Sequence, residues 1–260
     1  MSGRYVAASW GASLRAAMEY RGAFLMQALF MVANNFIFLA FWGVFFRRFQ
    51  TVRGWRIEDM ALLYGVSASG FGLAVVLMGG CLDIARRISS GGLDTWLLRS
   101  RSVFVQAGTS QMRLSGFGDL ASGVILFAAS GPLRPSRIAL YAAMTIVSAT
   151  VMVAFVTICH SASFYIGRAE DLANQGMYAL ITFALYPSGL FVGPSRFVLY
   201  VLIPAGLMSY TPANLLRHFS WSEAALLGAG VAALATAAAL AWTIGLRRYE
   251  SGNLTQNVTG

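Results

Sequence analysis

Long apolar runs separated by short polar segments dominate the chain. Uncharged stretches cover 22–46, 60–82, 138–167, 172–195 and 224–246. Each is long enough to cross a hydrocarbon core of about 30 Å at about 1.5 Å per residue. A further apolar run, 114–133, carries Asp119 five residues from its start, where a carboxylate can sit near the interface rather than at the midplane. The pattern predicts an all-α polytopic membrane protein with six transmembrane helices, forming one domain over residues 1–260.

Three segments depart from the simple alternation. In 1–21, Val6, Trp10, Leu14 and Met18 recur every four residues and so share one helical stripe. Arg4, Arg15 and Arg21 flank it, which suits an interfacial helix or a helical lead-in to the first span. The segment has neither the apolar core nor the small-residue end of a cleavable signal peptide. In 197–216 the run is uncharged, but Pro204 and Pro212 interrupt it. Proline removes a backbone donor, which lipid tolerates only where neighbours satisfy the freed groups. The expectation is a re-entrant or interfacial hairpin before the last span, with a seventh span as the alternative. The third segment, 83–113, is the one long polar connection. Within it RRISSGGLDTWLLRS (86–100) is too polar for a span and too apolar for an idle loop.

Composition agrees with a membrane protein: 57% of the 260 residues are hydrophobic and 11% charged, against about a quarter charged in a soluble domain. The net charge of +9 comes from nineteen arginines and no lysine. These arginines flank the apolar runs, as topology signals and headgroup contacts do, rather than forming the basic face of a nucleic-acid binder. With six spans and the N-terminus inside, eleven arginines are cytoplasmic and eight external; seven spans give ten and nine. Both margins lean towards a cytoplasmic N-terminus, and six spans place the C-terminus on that side as well.

Several chemistries are excluded. A Walker A loop needs a lysine for the terminal phosphates, and the chain has none. No HExxH, GxSxG or acidic pair stands within a span, so no catalytic residues are assigned. Ion-coupled carriers place carboxylates or other ionisable groups inside their spans, and here the spans offer only His160 and the peripheral Asp119. Asn34 and Asn35 suit interhelical hydrogen bonds, and the glycines of GFG (70–72) suit close helix packing. Cys81 and Cys159 form no CxxC, and the Cys159–His160 pair without further ligands reads as packed helix interior rather than a metal site. The sequons at Asn253 and Asn257 carry no weight as glycosylation sites in a short polar tail. What remains is a bundle without its own energy source.

The chain resembles the permease subunits of type-2 ABC transporters, in the branch of bacterial drug and viologen exporters served by daunorubicin-resistance-like ATPases. The resemblance runs from near the N-terminus to about residue 251. That branch shows a basic pair and then a pattern close to RRGELDFLLLRP, which Gly91, Leu93, Asp94, Leu97, Leu98 and Arg99 match here. Gly92 stands for its glutamate and Ser100 for its proline. AMEYRGAFL (17–25), GWRIEDMALLYG (54–65), Tyr186-Pro187, TPA (211–213) and RRYESG (247–252) add to the likeness by their order and spacing.

The resemblance implies a permease without enzymatic activity. It implies a cytoplasmic coupling helix between spans 2 and 3, docked in a groove of a separate ATPase that binds ATP and Mg. Two ATPase copies and a second permease, the same or a different chain, are the implied partners, in a bacterial inner membrane. The implied cargo is amphipathic or cationic-lipophilic. Residue chemistry agrees with docking through Arg86, Arg87, Gly91, Leu93, Asp94, Trp96, Leu97, Leu98 and Arg99. Leu93, Trp96 and Leu97, at i, i+3 and i+4, make one apolar face. Asp94 and Arg99 suit the two ends of the helix dipole, and Ser90 is the expected cap. An amphipathic helix resting on headgroups is the competing reading of this segment. A stand-alone carrier or channel subunit, or a membrane scaffold, is the competing function.

Overall fold

Alanine spacing and a break at Tyr20 shape the start of the chain. α1 (Ser2–Glu19) is rich in alanine, the best helix former, and stops where Tyr20 adopts φ −111°, ψ 46°. α2 (Arg21–Arg48) then runs for 28 residues and ends on Arg47 and Arg48, whose charges favour a helix C-terminus. The computed structural model describes residues 2–49, 51, 54–167, 169–187, 191 and 193–250. Arg53, Ser251, Gly252, the sequons at Asn253 and Asn257, and residues 188–190 and 192 of the expected fifth span lie outside the described residues.

α3 (Ile57–Met78) begins where the Asp59 carboxylate accepts from the Arg56 N–H at 2.8 Å. Gly79 and Gly80 then tighten the chain into a 3-10 turn, Gly79–Asp83, which leads into α4 (Ile84–Ser89). Gly91, at φ +73°, turns the chain back, a conformation glycine adopts without steric cost. α5 (Asp94–Leu97) and α6 (Val103–Gly108) follow, then α7 (Gly116–Ala129) and α8 (Pro135–Ser161). α8 carries proline in its first turn, where the missing N–H costs nothing. α9 (Ser163–Ile166) and α10 (Glu170–Ala184) precede a broken stretch. There α11 (Pro194–Phe197) and the wide turns Val198–Leu202 and Gly206–Tyr210 flank Pro204, before α12 (Thr211–Arg217) and α13 (Trp221–Arg247).

Among the described residues the regular elements are helices, and four are long and apolar enough to cross a membrane: Arg21–Arg48, Ile57–Ser89, Pro135–Ile166 and Trp221–Arg247. The pair Pro194–Leu202 and Gly206–Arg217, bent by 80°, would make a fifth candidate if taken as one span. Two expected spans are shorter than their apolar runs. α7 has 14 residues and α10 has 15, so each rises only about 21–22 Å. The Gly131-Pro132 pair follows α7, and Tyr186-Pro187 follows α10; proline disfavours helix in the residue before it.

α3 is the axis of the bundle. Its residues Met60–Gly70 are all buried, and α2, α7, α8, α10 and α12 pack around it. Gly72 is a close crossing: a Cβ there would meet Gly116 O at 2.5 Å and Leu120 N at 2.8 Å, so only glycine lets α7 come this near. Further along, Tyr141 of α8 stacks on Phe127 of α7 at 3.9 Å and bonds Ser69 Oγ (2.6 Å) and Gly65 O (3.0 Å).

Side-chain contacts gather at two ends. At one, Trp10 donates to Leu77 O (3.0 Å), Ser9 to Thr109 O (2.6 Å) and Tyr249 to Asp94 Oδ1 (2.8 Å). These bonds join α1 to α3 and to the 79–115 connector, and the connector to the segment just after α13. At the other, Arg217 pairs with Asp59 at 2.6 Å, donates to Gly54 O at 3.0 Å and lies over the Trp55 ring.

Candidate functional site

The connector is a packed hairpin rather than a loose loop. Asp83 organises its base: it pairs with Arg86 three residues on and with Arg113 at 3.3 Å, its own side chain almost wholly covered. Gln111, with its amide turned to satisfy both neighbours, donates to Asp83 Oδ2 (2.9 Å) and accepts from Arg87 Nη2 (3.1 Å). Buried His160 of α8 accepts from the Ala85 N–H through Nδ1 at 3.1 Å, fixing α4 to the bundle.

The tip is held from below. Gln106 of α6, fully buried, donates to Trp96 O (3.3 Å) and Arg101 O (3.2 Å). The Arg87 guanidinium lies 4.8 Å from the Trp96 ring centroid, a cation–π contact. At the rim, Arg101 covers Tyr5 of α1 at 4.7 Å. The Tyr249 phenol is pushed above its ordinary value, first by burial and then by its bond to Asp94, so it stays protonated as the donor.

These contacts reverse part of the expected face. Leu93 (0% exposed) and Trp96 (8%) lie in the chain's own core, while Leu97 (46%) and Leu98 (89%) face outward with Arg99. The apolar triad Leu93, Trp96 and Leu97 is therefore divided, because the hairpin folds back on α6 and uses the first two residues for itself. Ser90 is not the cap: Leu93 occupies that position, and Ser90 instead ends α4. Arg86 is exposed and Arg87 is half-buried. Gly91 makes the turn, and the Gly92 N–H bonds Arg87 O at 2.8 Å. Ser100 stands exposed after the tip.

Sequence reasoning missed the Asp83–Arg113–Gln111 cluster and the Tyr249–Asp94 bond. The first had a faint signal, an acid three residues before an arginine; the second joins residues 155 apart and had none. Asn35 does bond across helices, to Asp119 Oδ1 at 2.8 Å and Ser122 Oγ at 2.9 Å. Asp119, expected near the interface, lies in the first turn of α7 but is buried against α2. The expectation missed that cover because Asn35 is distant in sequence.

Apolar helices of crossing length, packed on one central helix and joined by a structured polar hairpin, define a multi-pass helical membrane protein. The chain belongs to the ABC-2 transporter family: the family model described as ABC-2 family transporter protein matches residues 29–253, most of its length. Its members are membrane components that work with an ABC ATPase and are not ATPases themselves. No curated protein and no solved structure matches the chain.

Proposed function

We propose that this chain is the permease subunit of an ATP-driven exporter in a bacterial inner membrane, coupled to its ATPase through residues 83–113. One observation carries the reading: the connector is a packed hairpin whose buried side, Leu93 and Trp96, is spent on the chain's own core while Leu97, Leu98 and Arg99 are presented outward. Exposed leucines beside charge on a braced support form an apolar patch that a partner can bury. Docking accordingly runs through Leu97 and Leu98, with Arg86 and Arg99 at the rim, and Leu93, Trp96, Arg87, Gly91 and Asp94 hold the tip in shape.

Six crossings are supported by how the two ends alternate. α2 leaves the connector end, α3 returns to it, and α7 with α8 and α10 with α13 repeat the excursion; the short α7 and α10 complete the count. The hairpin around Pro204 then lies at the far end with Arg217, re-entrant rather than a seventh span. Both termini fall on the cytoplasmic side with the connector, as the arginine balance prefers. The complex holds two ATPase copies, which bind ATP and Mg, and a second permease, identical or different. Its cargo is an amphipathic or cationic-lipophilic compound.

The test is co-purification with the cognate ABC ATPase from membranes. Leu97→Glu with Leu98→Glu is expected to abolish recovery of the ATPase while leaving the thermal transition of the purified permease unchanged. Undiminished recovery sinks the docking assignment. Full transport by this chain alone in liposomes would instead establish a stand-alone carrier.

A further inference from the structure

A second feature lies on the opposite face of α3 from α8. Here α2, α3 and α10, with Asp119 of α7, border a half-open cavity of about 780 Å³, a volume suited to a small organic molecule. Its walls are largely apolar, and Phe38, Phe41, Trp42, Phe71 and Tyr186 give them a strong aromatic share. Trp42 bonds the Tyr64 hydroxyl at 3.0 Å and meets Tyr186 edge-on at 6.0 Å, so the far end of the cavity is braced.

Two charged side chains line it. Arg113 stands at the connector end and is already engaged by Asp83 at 3.3 Å. Asp119 is different. It is 3% exposed, and Asn35 holds one carboxylate oxygen at 2.8 Å, yet Oδ2 has no hydrogen-bond partner among the described residues. Asn35 shares its amide with Ser122 Oγ, which fixes the orientation of the carboxylate. A carboxylate buried in an apolar bundle, half satisfied and held in place, is stabilised in its charged form by a cation beside it. Within a membrane-spanning bundle such a group marks a ligand path.

We propose that this cavity is a binding site for lipophilic organic monocations, with Asp119 as their counter-ion. The charged centre of the ligand sits by Asp119 at the connector end, and its apolar body extends towards Trp42 and Tyr186. The rings add cation–π attraction and a flat apolar surface. A neutral or anionic compound of the same shape gains the surface contact but not the charge contact, so charge decides which compounds are held. This assignment rests on the permease reading only for its consequence, that the site lies on the export path; the binding itself does not require it.

The experiment measures saturable binding of tetraphenylphosphonium and of tetraphenylborate, ions of one shape and opposite charge, to the purified full chain in nanodiscs. The cation is expected to bind about tenfold or more tightly than the anion, and D119N to remove that margin. D119E is expected to retain cation binding, and Phe41→Ala to weaken both ions alike. Equal binding of the two ions by the unaltered chain overturns the proposal, and does so even where D119N fails to fold. Cation binding undiminished in a folded D119N overturns it too. Absence of saturable binding by either ion overturns it as well. ATPase co-purification is read separately: lost charge discrimination with the ATPase retained condemns the site alone, and Asp119-dependent binding without ATPase association condemns the permease reading.

Discussion

Asp83 shows how one side chain can set the shape of a polar connector. Two arginines and a glutamine converge on a carboxylate that the bundle covers, and each arginine keeps part of its own surface in solvent. Replacing Asp83 by Ala removes every acceptor at once and is expected to destabilise the chain by about 1–3 kcal/mol, read as a lower thermal transition in detergent. Tyr249 gives a milder case. Tyr249→Phe loses one hydrogen bond to Asp94 and is expected to cost about 1 kcal/mol. Its pH dependence has a definite sign. The folded phenol is raised by burial and by Asp94, so its contribution is complete below the ordinary tyrosine value and fades only as pH rises through the raised one. A pH series of thermal transitions should therefore show a strongly alkaline loss in the unaltered protein that Tyr249→Phe lacks.

Elements meet where the chain is smallest. α3 and α7 approach so closely at Gly72 that the backbone of one is the floor for the other. Gly72→Ala has to push α7 away or displace backbone, which costs about 1–3 kcal/mol in a packed core. Cysteine crosslinking between α3 and α7 would report the lost proximity. The wide turns around Pro204 follow a related logic. The Ile203 N–H bonds Val198 O at 2.8 Å, and Met208 and Leu207 both bond Pro204 O at 3.1 Å. The chain satisfies its own backbone on each side of the break, and the Tyr210 hydroxyl ties the second half to Phe183 O of α10. A proline that looks disruptive in an apolar run is thus contained by local and tertiary bonds.

At the scale of the molecule, the two ends have different chemistry. The connector end joins α1, the hairpin and Tyr249 by hydrogen bonds and cation–π contacts; the far end is closed by Asp59, Arg217 and Trp55. Arg217→Ala leaves a largely covered carboxylate without its cation and is expected to cost about 1–3 kcal/mol in the thermal transition. The alternation of ends also predicts a labelling pattern. With single cysteines introduced at the exposed positions Ser100 and Ser222, a membrane-impermeant maleimide on intact cells should modify Ser222→Cys and spare Ser100→Cys. The reverse pattern would invert the orientation proposed here.

The amino-acid order by itself determined that this is a helical membrane protein, where its long helices run, where the one polar connector falls and where proline breaks the chain. Those properties follow from local hydropathy, helix period and backbone chemistry, all of which are written in consecutive residues. Tertiary structure alone decided which side of 93–98 is turned in. A single turn of helix has too little periodicity to mark its buried face, and the hairpin supplied the answer by folding Leu93 and Trp96 into the core, with Gln106 holding the Trp96 carbonyl. It also decided the fate of Asp119, whose partner Asn35 is 84 residues away. In a bilayer the outward surface of a helix is as apolar as its packed one, so hydropathy locates a span without revealing what faces it.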